Sequence, residues 1–439
     1  MNILVISFDQ VYPLATGASV SQFSMINYLS DFCNISLLLP EKNDITEKDL
    51  YELNQLLPKV KIYALKDQIK STTDNNLKFL KSFFKRKIKK LIPGQKNNVC
   101  SISNNSQDDL EKNFREMYSW NPFYLHSQKY IDKISEIIEA DDINIVQLEY
   151  VDNLNISTFI SSKVKTIFVE HECFFYRMKS HIDAAGITSE FSKYIVEFYR
   201  QLEGSLLSDI DGIITFNYSE KNALKSLLSN KEAEEKIIVS PFSVPGNEFK
   251  DINEEEFAKI DKLIFLGGEH HYPNKDAVEW FLEKTAEEVF NRFGLKLYVV
   301  GKWSQDTIDK YKYHPSNVNF LGFVEDLHSI TKNSISISPV RIGGGLKTKI
   351  LVSMAQGIPV ICTKFALDGI NAKHLETVML AEDTYSFCWA VEYLLKDNRR
   401  TFMLCQQAQR LMREEYSQSH LGRQRYMFYQ KILTSKICD

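Results

Sequence analysis

The sequence predicts an α/β protein built from two doubly wound parallel sheets. Short apolar runs of strand length alternate with amphipathic helical stretches along most of the chain. Glycine loops follow several of these runs, at Gly17, Gly267–Gly268 and Gly343–Gly345. At 439 residues the chain is also too long for one ordinary core.

The elements follow in order. "NILVISF" (2–8) reads as the first strand, and "DQVYPLATGAS" as the loop after it. Phe23, Ile26, Leu29 and Phe32 recur at helical spacing, and "NISLLLP" is the next strand. Strand, glycine loop, helix and strand make a βαβ unit. Residues 41–125 break the pattern, being polar and rich in Lys and Asn, and read as an insertion. The alternation resumes with strands at 143–150, 165–172, 211–216 and 236–242, and with a helix predicted to start at a Ser219 N-cap. A second series begins near Lys262 with "KLIFLGG", "LKLYVVG", "VNFLGFV", "SISISPV" and "PVICT". Residues 383–436 are helical by periodicity. The expected division is a first domain over 1–245, a second over 246–418, and a last helix at 419–439 that returns to the first domain.

Composition narrows the function. The chain is 44% hydrophobic and 25% charged, as in globular proteins, and its net charge of −4 offers no global attraction to nucleic acid. Seven cysteines, an odd number without a CxxC pair, suit neither a disulfide framework nor a zinc site. The N-terminus reads as a strand rather than a signal peptide, and no run approaches 18 uninterrupted apolar residues. The expected location is cytoplasmic. Peripheral contact with the inner face of a membrane is suggested by "KFLKSFFKRKIKKLI" (78–92). Its Leu80, Phe84, Ile88 and Leu91 form one stripe among seven basic residues, although Lys87 falls on the apolar side. Packing of that stripe on its own domain is the competing reading.

The most informative stretch is "SPVRIGGGLKTKILVSMAQGIPVICT" (338–363). A strand leads through three glycines into a helix that Lys347 and Lys349 enter. Glycines let backbone come close to a ligand, and a helix start offers unpaired N–H groups and positive potential. A diphosphate fits such a site.

The order of "FLGGEHHYPNKDAVEWF", "LYVVGKW", "VNFLGFVEDL" and the glycine stretch resembles the C-terminal domain of retaining glycosyltransferases of the GT-B fold, in the large family commonly called family 4. The match runs from about Lys262 to Thr363 and more loosely to "YSQSH" near 416–420. The early Gly17 loop and the pair "IVQLEY" and "TIFVEHECFFYR" look like the acceptor-side domain of the same family.

The resemblance implies GT-B architecture, two Rossmann-like domains facing a central cleft. It implies transfer of a sugar from a nucleotide-linked donor to a saccharide or lipid-linked saccharide acceptor, with retention, in surface polysaccharide synthesis. No metal is implied, and the chain shows no DxD motif in a strand-end context. The nucleotide sugar is a co-substrate; no cofactor is expected. By position, Gly343, Gly344, Gly345 and Leu346 would lie under the distal phosphate and donor sugar. Lys349 would pair with the diphosphate, with Lys347 beside it. Arg341 would do the same or brace the loop. Gly267 and Gly268 end a strand at the cleft, and Asn274 and Asp276 belong to the turn after it, where Asp276 is either a site residue or a helix cap. Gly322 and Val324 would meet the base, and Gly17 and Ala18 the donor phosphate from across the cleft. His171, flanked by Glu170 and Glu172, is the candidate for touching the transferred sugar, either orienting the acceptor or steadying developing charge.

One departure stands out. Many family members carry two glutamates eight positions apart, which fall here at Gly344 and Val352. The second ordinarily binds ribose. Its absence leaves three readings: substitution by Glu325 or Asp326, a lipid-phosphate sugar donor, or a catalytically silent binding subunit. A GT-B sugar-nucleotide epimerase is a further alternative.

Overall fold

The computed structural model describes residues 1–14, 17–41, 45–65, 124–184, 186–228, 235–324, 326–343 and 345–434. The stretch 78–92, Glu325 and Gly344 lie outside them.

Thirteen strands among the described residues build two wholly parallel sheets. The first has the order β3-β2-β1-β4-β5-β6-β7, from β1 (Asn2–Ile6), β2 (Asn34–Leu38), β3 (Val60–Tyr63), β4 (Ile145–Glu149), β5 (Lys165–Val169), β6 (Gly212–Thr215) and β7 (Ile237–Val239). The second has the order β10-β9-β8-β11-β12-β13, from β8 (Lys262–Leu266), β9 (Lys296–Val300), β10 (Asn319–Gly322), β11 (Ser334–Ser338), β12 (Val360–Cys362) and β13 (Met379–Leu380). Helices cover both faces, so the central strands are buried on both sides; β4 (IVQLE) and β11 (SISIS) are buried at every position, their polar residues included. In each sheet the order reverses beside the first strand of that domain, at β1/β4 and at β8/β11, where both neighbours are parallel. Such reversals open a crevice at the strands' C-terminal ends.

Two assignments differ from the sequence reading. Part of the stretch read as an insertion belongs to the first sheet: α2 (Glu47–Leu56) starts at a Thr46–Asp49 capping box and leads to edge strand β3. Only four residues long and half solvated, β3 carries a weak periodic signal. The helix expected to be capped by Ser219 is instead capped by Asn217, whose Oδ1 accepts from Glu220 N at 2.7 Å. Ser219 Oγ is used elsewhere, donating to Asp368 Oδ1 across the cleft at 2.9 Å.

The chain crosses between domains twice, side by side. Val244 N donates to Tyr416 O at 2.7 Å, and Val244 pairs with Ser417 in a parallel bridge. The last helix, Gln418–Thr434, packs on the first domain. Its Gly422 lies so close to α1 (Gly17–Leu29) that a Cβ there would stand 2.2 Å from the Tyr28 ring. Farther along, Arg425 binds Ser240 Oγ and O at 3.1 and 3.0 Å, and Tyr429 OH donates to Gln147 Oε1 at 2.5 Å. Cys33, Cys173, Cys362, Cys388 and Cys405 are buried free thiols. Among the described residues no helix is long and apolar enough to cross a membrane.

Replacing Gly422 by Val forces the last helix off α1. The expected cost is about 1–3 kcal/mol, typical of overpacking. It is read as a lower urea midpoint; an unchanged midpoint would show that this contact does not hold the domains together.

Candidate functional site

Site residues of the second domain radiate from the ends of β8 and β11. Gly267 has φ +149° and Gly343 φ +100°, conformations in which a side chain is strained. A Cβ on Gly267 would meet Asn274 Nδ2 at 2.6 Å, and one on Gly343 would meet Pro273 at 2.7 Å. The two loops therefore nest against the start of the helix Tyr272–Phe281. Asn274 Nδ2 donates to Gly268 O at 3.0 Å, and Trp303 Nε1 donates to Gly267 O at 2.9 Å. Gly322, at φ +70°, accepts from Gly301 N at 2.8 Å, and Val324 is half-buried beyond it.

Gly345 makes the contact between domains. Its φ is +67°, and a Cβ would sit 3.2 Å from His171 O and 3.9 Å from Glu172 Cβ. The glycine loop thus rests directly on the strand end that carries Glu170, His171 and Glu172. Ser180 Oγ, also from the first domain, donates to Gly343 O at 3.3 Å. Leu346 is buried, with its Cδ1 within 3.0 Å of a Cβ built on Gly369. Gly17 and Ala18 form the first turn of α1.

The two lysines differ in surroundings. Lys347 is 8% exposed and turns back to donate to Gly345 O at 2.7 Å. Burial lowers its pKa, and the charges of Glu172, Glu220 and Asp368 oppose that shift. Lys349, in the first turn of the helix Thr348–Ala355, donates to Asn274 Oδ1 at 2.6 Å and lies 4.1 Å from the centre of the Phe265 ring. No carboxylate among the described residues pairs with it. Burial, reinforced by Lys347, pushes its ammonium down to about 7. Arg341 is paired with Asp276, with Nη2–Oδ1 at 2.7 Å and Nε–Oδ2 at 3.3 Å, and it lies over Trp280. It braces the loop, and Asp276 is its partner rather than a helix cap.

On the first domain's side the acids divide by environment. Glu172 accepts from Arg177 Nη1 at 2.8 Å; burial works against ionisation, but Arg177 and Lys347 hold its carboxyl below the usual range. Glu170 is 1% exposed and lies against the Glu203 carboxyl, an approach that needs a proton between the two groups. Burial and the charges of Glu203 and Glu220 push it well above the ordinary carboxyl range. A carboxyl placed so is neutral and packs beneath the cleft rather than facing it. Glu203 accepts from Phe174 N and Phe175 N, both at 3.2 Å, at the start of the helix Phe174–Ala184. Glu220 is raised to about 8, by burial first and by Glu172 next.

His171 is covered rather than open. Its ring stacks on Tyr150 at 3.7 Å and 11° and meets the Phe216 ring edge-on at 5.2 Å. Nε2 lies 2.6 Å from Glu149 Oε2. Glu149 was not among the residues singled out from the sequence, although "IVQLEY" shows an acid at the end of an apolar strand, where α/β sites form. Asp326, a candidate replacement for the ribose-binding acid, caps the helix Leu327–Thr331 by accepting from His328 N and Ser329 N. Val352 is half-buried in its helix. Among the described residues no cluster of three His, Cys, Asp or Glu has the arrangement of a metal site.

Comparison with known proteins agrees with this fold. Residues 261–397 match the family model described as glycosyl transferases group 1. No curated protein matches the chain by sequence. The fold is similar to sucrose-phosphate synthase from Thermosynechococcus elongatus, at TM-score 0.67 and 11% identity over 99% of this chain and 100% of that one. Anabaena HepE in complex with UDP-glucose gives TM-score 0.61 and 10% identity over 98% and 100%. A TarM mutant of S. aureus in complex with fondaparinux, α-GlcNAc-glycerol and UDP gives 0.64 and 11% over 99% and 100%. The architecture is GT-B, and the second domain is similar to glycosyl transferases group 1 over 261–397.

Lys349 sets a pH test. Its folded pKa lies below the ordinary lysine value of about 10.4. Above pH 7 the folded state therefore binds fewer protons than the unfolded chain, and this group makes stability rise with pH up to that value. An anion bound at Lys349 must restore the proton. Affinity for an anion bound there should fall by about tenfold per unit between pH 7.5 and 9. In Lys349→Arg, which keeps its charge, titration calorimetry should find affinity flat over that range; the same slope in both proteins would place the anion elsewhere.

Proposed function

We propose that the protein is a retaining glycosyltransferase of family 4 that uses a nucleotide-sugar donor and works without a metal. The observation that carries this reading is Lys349, a half-buried ammonium without a carboxylate partner among the described residues, at a glycine-lined helix start. Glycosyltransferase relatives over 261–397 support it, as do the UDP-containing complexes of the structural neighbours.

The diphosphate lies over the glycine loop at Gly343 and Gly345, where positive φ and missing side chains let the backbone approach. Lys349 and the N–H groups of its helix take up the negative charge that grows as the C1–O(phosphate) bond breaks. The acceptor oxygen forms its bond to C1 on the same face, and its proton passes to the departing phosphate. Lys347 answers Glu172 across the domain contact and holds the loop, while Arg341 braces it through Asp276. Gly322 and Val324 border the base. His171 lies on the acceptor side. The acceptor is a saccharide or lipid-linked saccharide of surface polysaccharide synthesis, a reading supported by the basic amphipathic pattern of 78–92 in the sequence.

Val352 favours one second reading, a silent subunit that binds sugar without transferring it, because ribose meets a valine where an acid would ordinarily accept its hydroxyls.

A thermal-shift panel of UDP, GDP, dTDP and CMP with their sugar conjugates separates these readings. At a hundredfold excess over Kd a ligand adds about 2.7 kcal/mol to apparent stability. One base should shift the protein, and Lys349→Ala should abolish both that shift and turnover of the matching nucleotide sugar. A shift without turnover supports the silent subunit. No shift with any of them, or turnover that survives Lys349→Ala, overturns this assignment.

A further inference from the structure

The first domain holds a hydrogen-bonded chain that ends on His171 and begins on the last helix. Tyr429 OH donates to Gln147 Oε1 at 2.5 Å, which fixes the amide so that its Nε2 donates to Glu149 Oε1 at 2.5 Å. The other carboxylate oxygen, Oε2, faces His171 Nε2 at 2.6 Å. Gln147, Glu149 and Tyr429 are each 3% exposed or less. An ionised carboxylate only accepts, so it selects the imidazole tautomer that carries hydrogen on Nε2. Nδ1 then becomes the acceptor, and it is buried without a partner.

Two further features sit at the same place. Tyr150, whose ring stacks on the imidazole, has φ +68° and ψ 147° although it is not glycine. Backbone held in that region carries strain, which collects at functional sites. His171 also lines a cavity of about 20 Å³ together with Gln22, Glu149, Phe216, Arg425 and Tyr429. That volume suits one hydroxyl-sized group. Gln22, 5% exposed, has its Oε1 3.2 Å from Ser7 Oγ, while its Nε2 is a buried donor without a partner. The rest of the lining is largely apolar, with Ile3, Val5, Met25 and Ile26 among it, so the two residues with unused polar atoms, Gln22 and His171, stand out along one cavity.

We propose that Glu149 is a positioning residue that holds His171 in its Nε2–H tautomer, so that His171 Nδ1 and Gln22 Nε2 together receive one sugar hydroxyl of the donor or the acceptor. This rests on the transferase reading above. The tautomer itself does not.

The test begins with nitrogen-15 NMR of histidine-labelled protein, with His171 assigned by loss of its signals in His171→Asn. The wild-type ring should show protonated Nε2 and bare Nδ1. In Glu149→Gln the amide can donate toward the ring, and the pure Nε2–H pattern should be lost while the thermal midpoint stays close to wild type. Tyr429→Phe, which releases Gln147, should shift the same signals less. A wild-type ring protonated on Nδ1, or a Glu149→Gln spectrum identical to wild type, overturns the proposal.

Kinetics identify the hydroxyl, using the nucleotide sugar found by the ligand panel. Glu149→Gln should lower kcat/KM by about tenfold, the scale of one lost hydrogen bond. A rise in donor KM assigns the hydroxyl to the donor, and a rise in acceptor KM assigns it to the acceptor. A changed tautomer with unchanged transfer supports the positioning by Glu149 and counts against His171's place in the reaction.

Discussion

The approach of Gly345 to His171 O and Glu172 is the contact on which the site depends. It lets a loop of the second sheet rest on a strand end of the first without a side chain between them. Any Cβ at Gly345 would press on a carbonyl 3.2 Å away and strain a backbone at φ +67°. The same approach brings Lys347 beside Glu172, whereas Lys349, two residues along, is paired with no carboxylate among the described residues. The glycine run therefore sets both the distance between the domains and the charge balance of the cleft.

That balance is uneven. Lys347 has Glu172, Glu220 and Asp368 around it, so its charge is largely spent on holding the domain contact. Lys349 has an amide oxygen and an aromatic face. A buried cation without an anion is costly, and a ligand that supplies one recovers that cost as binding free energy. Below the contact, Glu170, Glu203 and Glu220 form a second acidic layer with raised pKa values. Burial is the first cause of each rise, and it disfavours placing several charges together in that layer. Ser219–Asp368 and Ser180–Gly343 tie the rims together with neutral donors.

The last helix joins the two halves in another way. After crossing beside Val244 it returns to the first domain and places Arg425 and Tyr429 under the sheet. Gln147 on β4 is thus satisfied by Tyr429, 282 positions away in sequence, and in turn satisfies Glu149 on the same strand. Polar groups on a strand with both faces covered need such partners, since water cannot reach them.

The sequence by itself determined the two doubly wound sheets, because apolar runs with period-two or continuous burial and helices with period 3.6 are local patterns. It also marked the glycine loop and Lys349, since glycine spacing before a helix start is a local requirement for close backbone approach. Edge strand β3 escaped it because a four-residue, half-exposed strand has little pattern to read. The roles of individual side chains were decided by tertiary structure. Lys347 and Lys349 are two residues apart, yet the fold gives one of them three acidic neighbours, Glu172 and Glu220 from the other domain and Asp368 from its own. Arg341 is engaged by Asp276, 65 positions away, and His171 by Glu149, 22 positions away. Hydrogen bonding and charge compensation depend on distances across the fold, and those distances are set only when the two sheets close on one another.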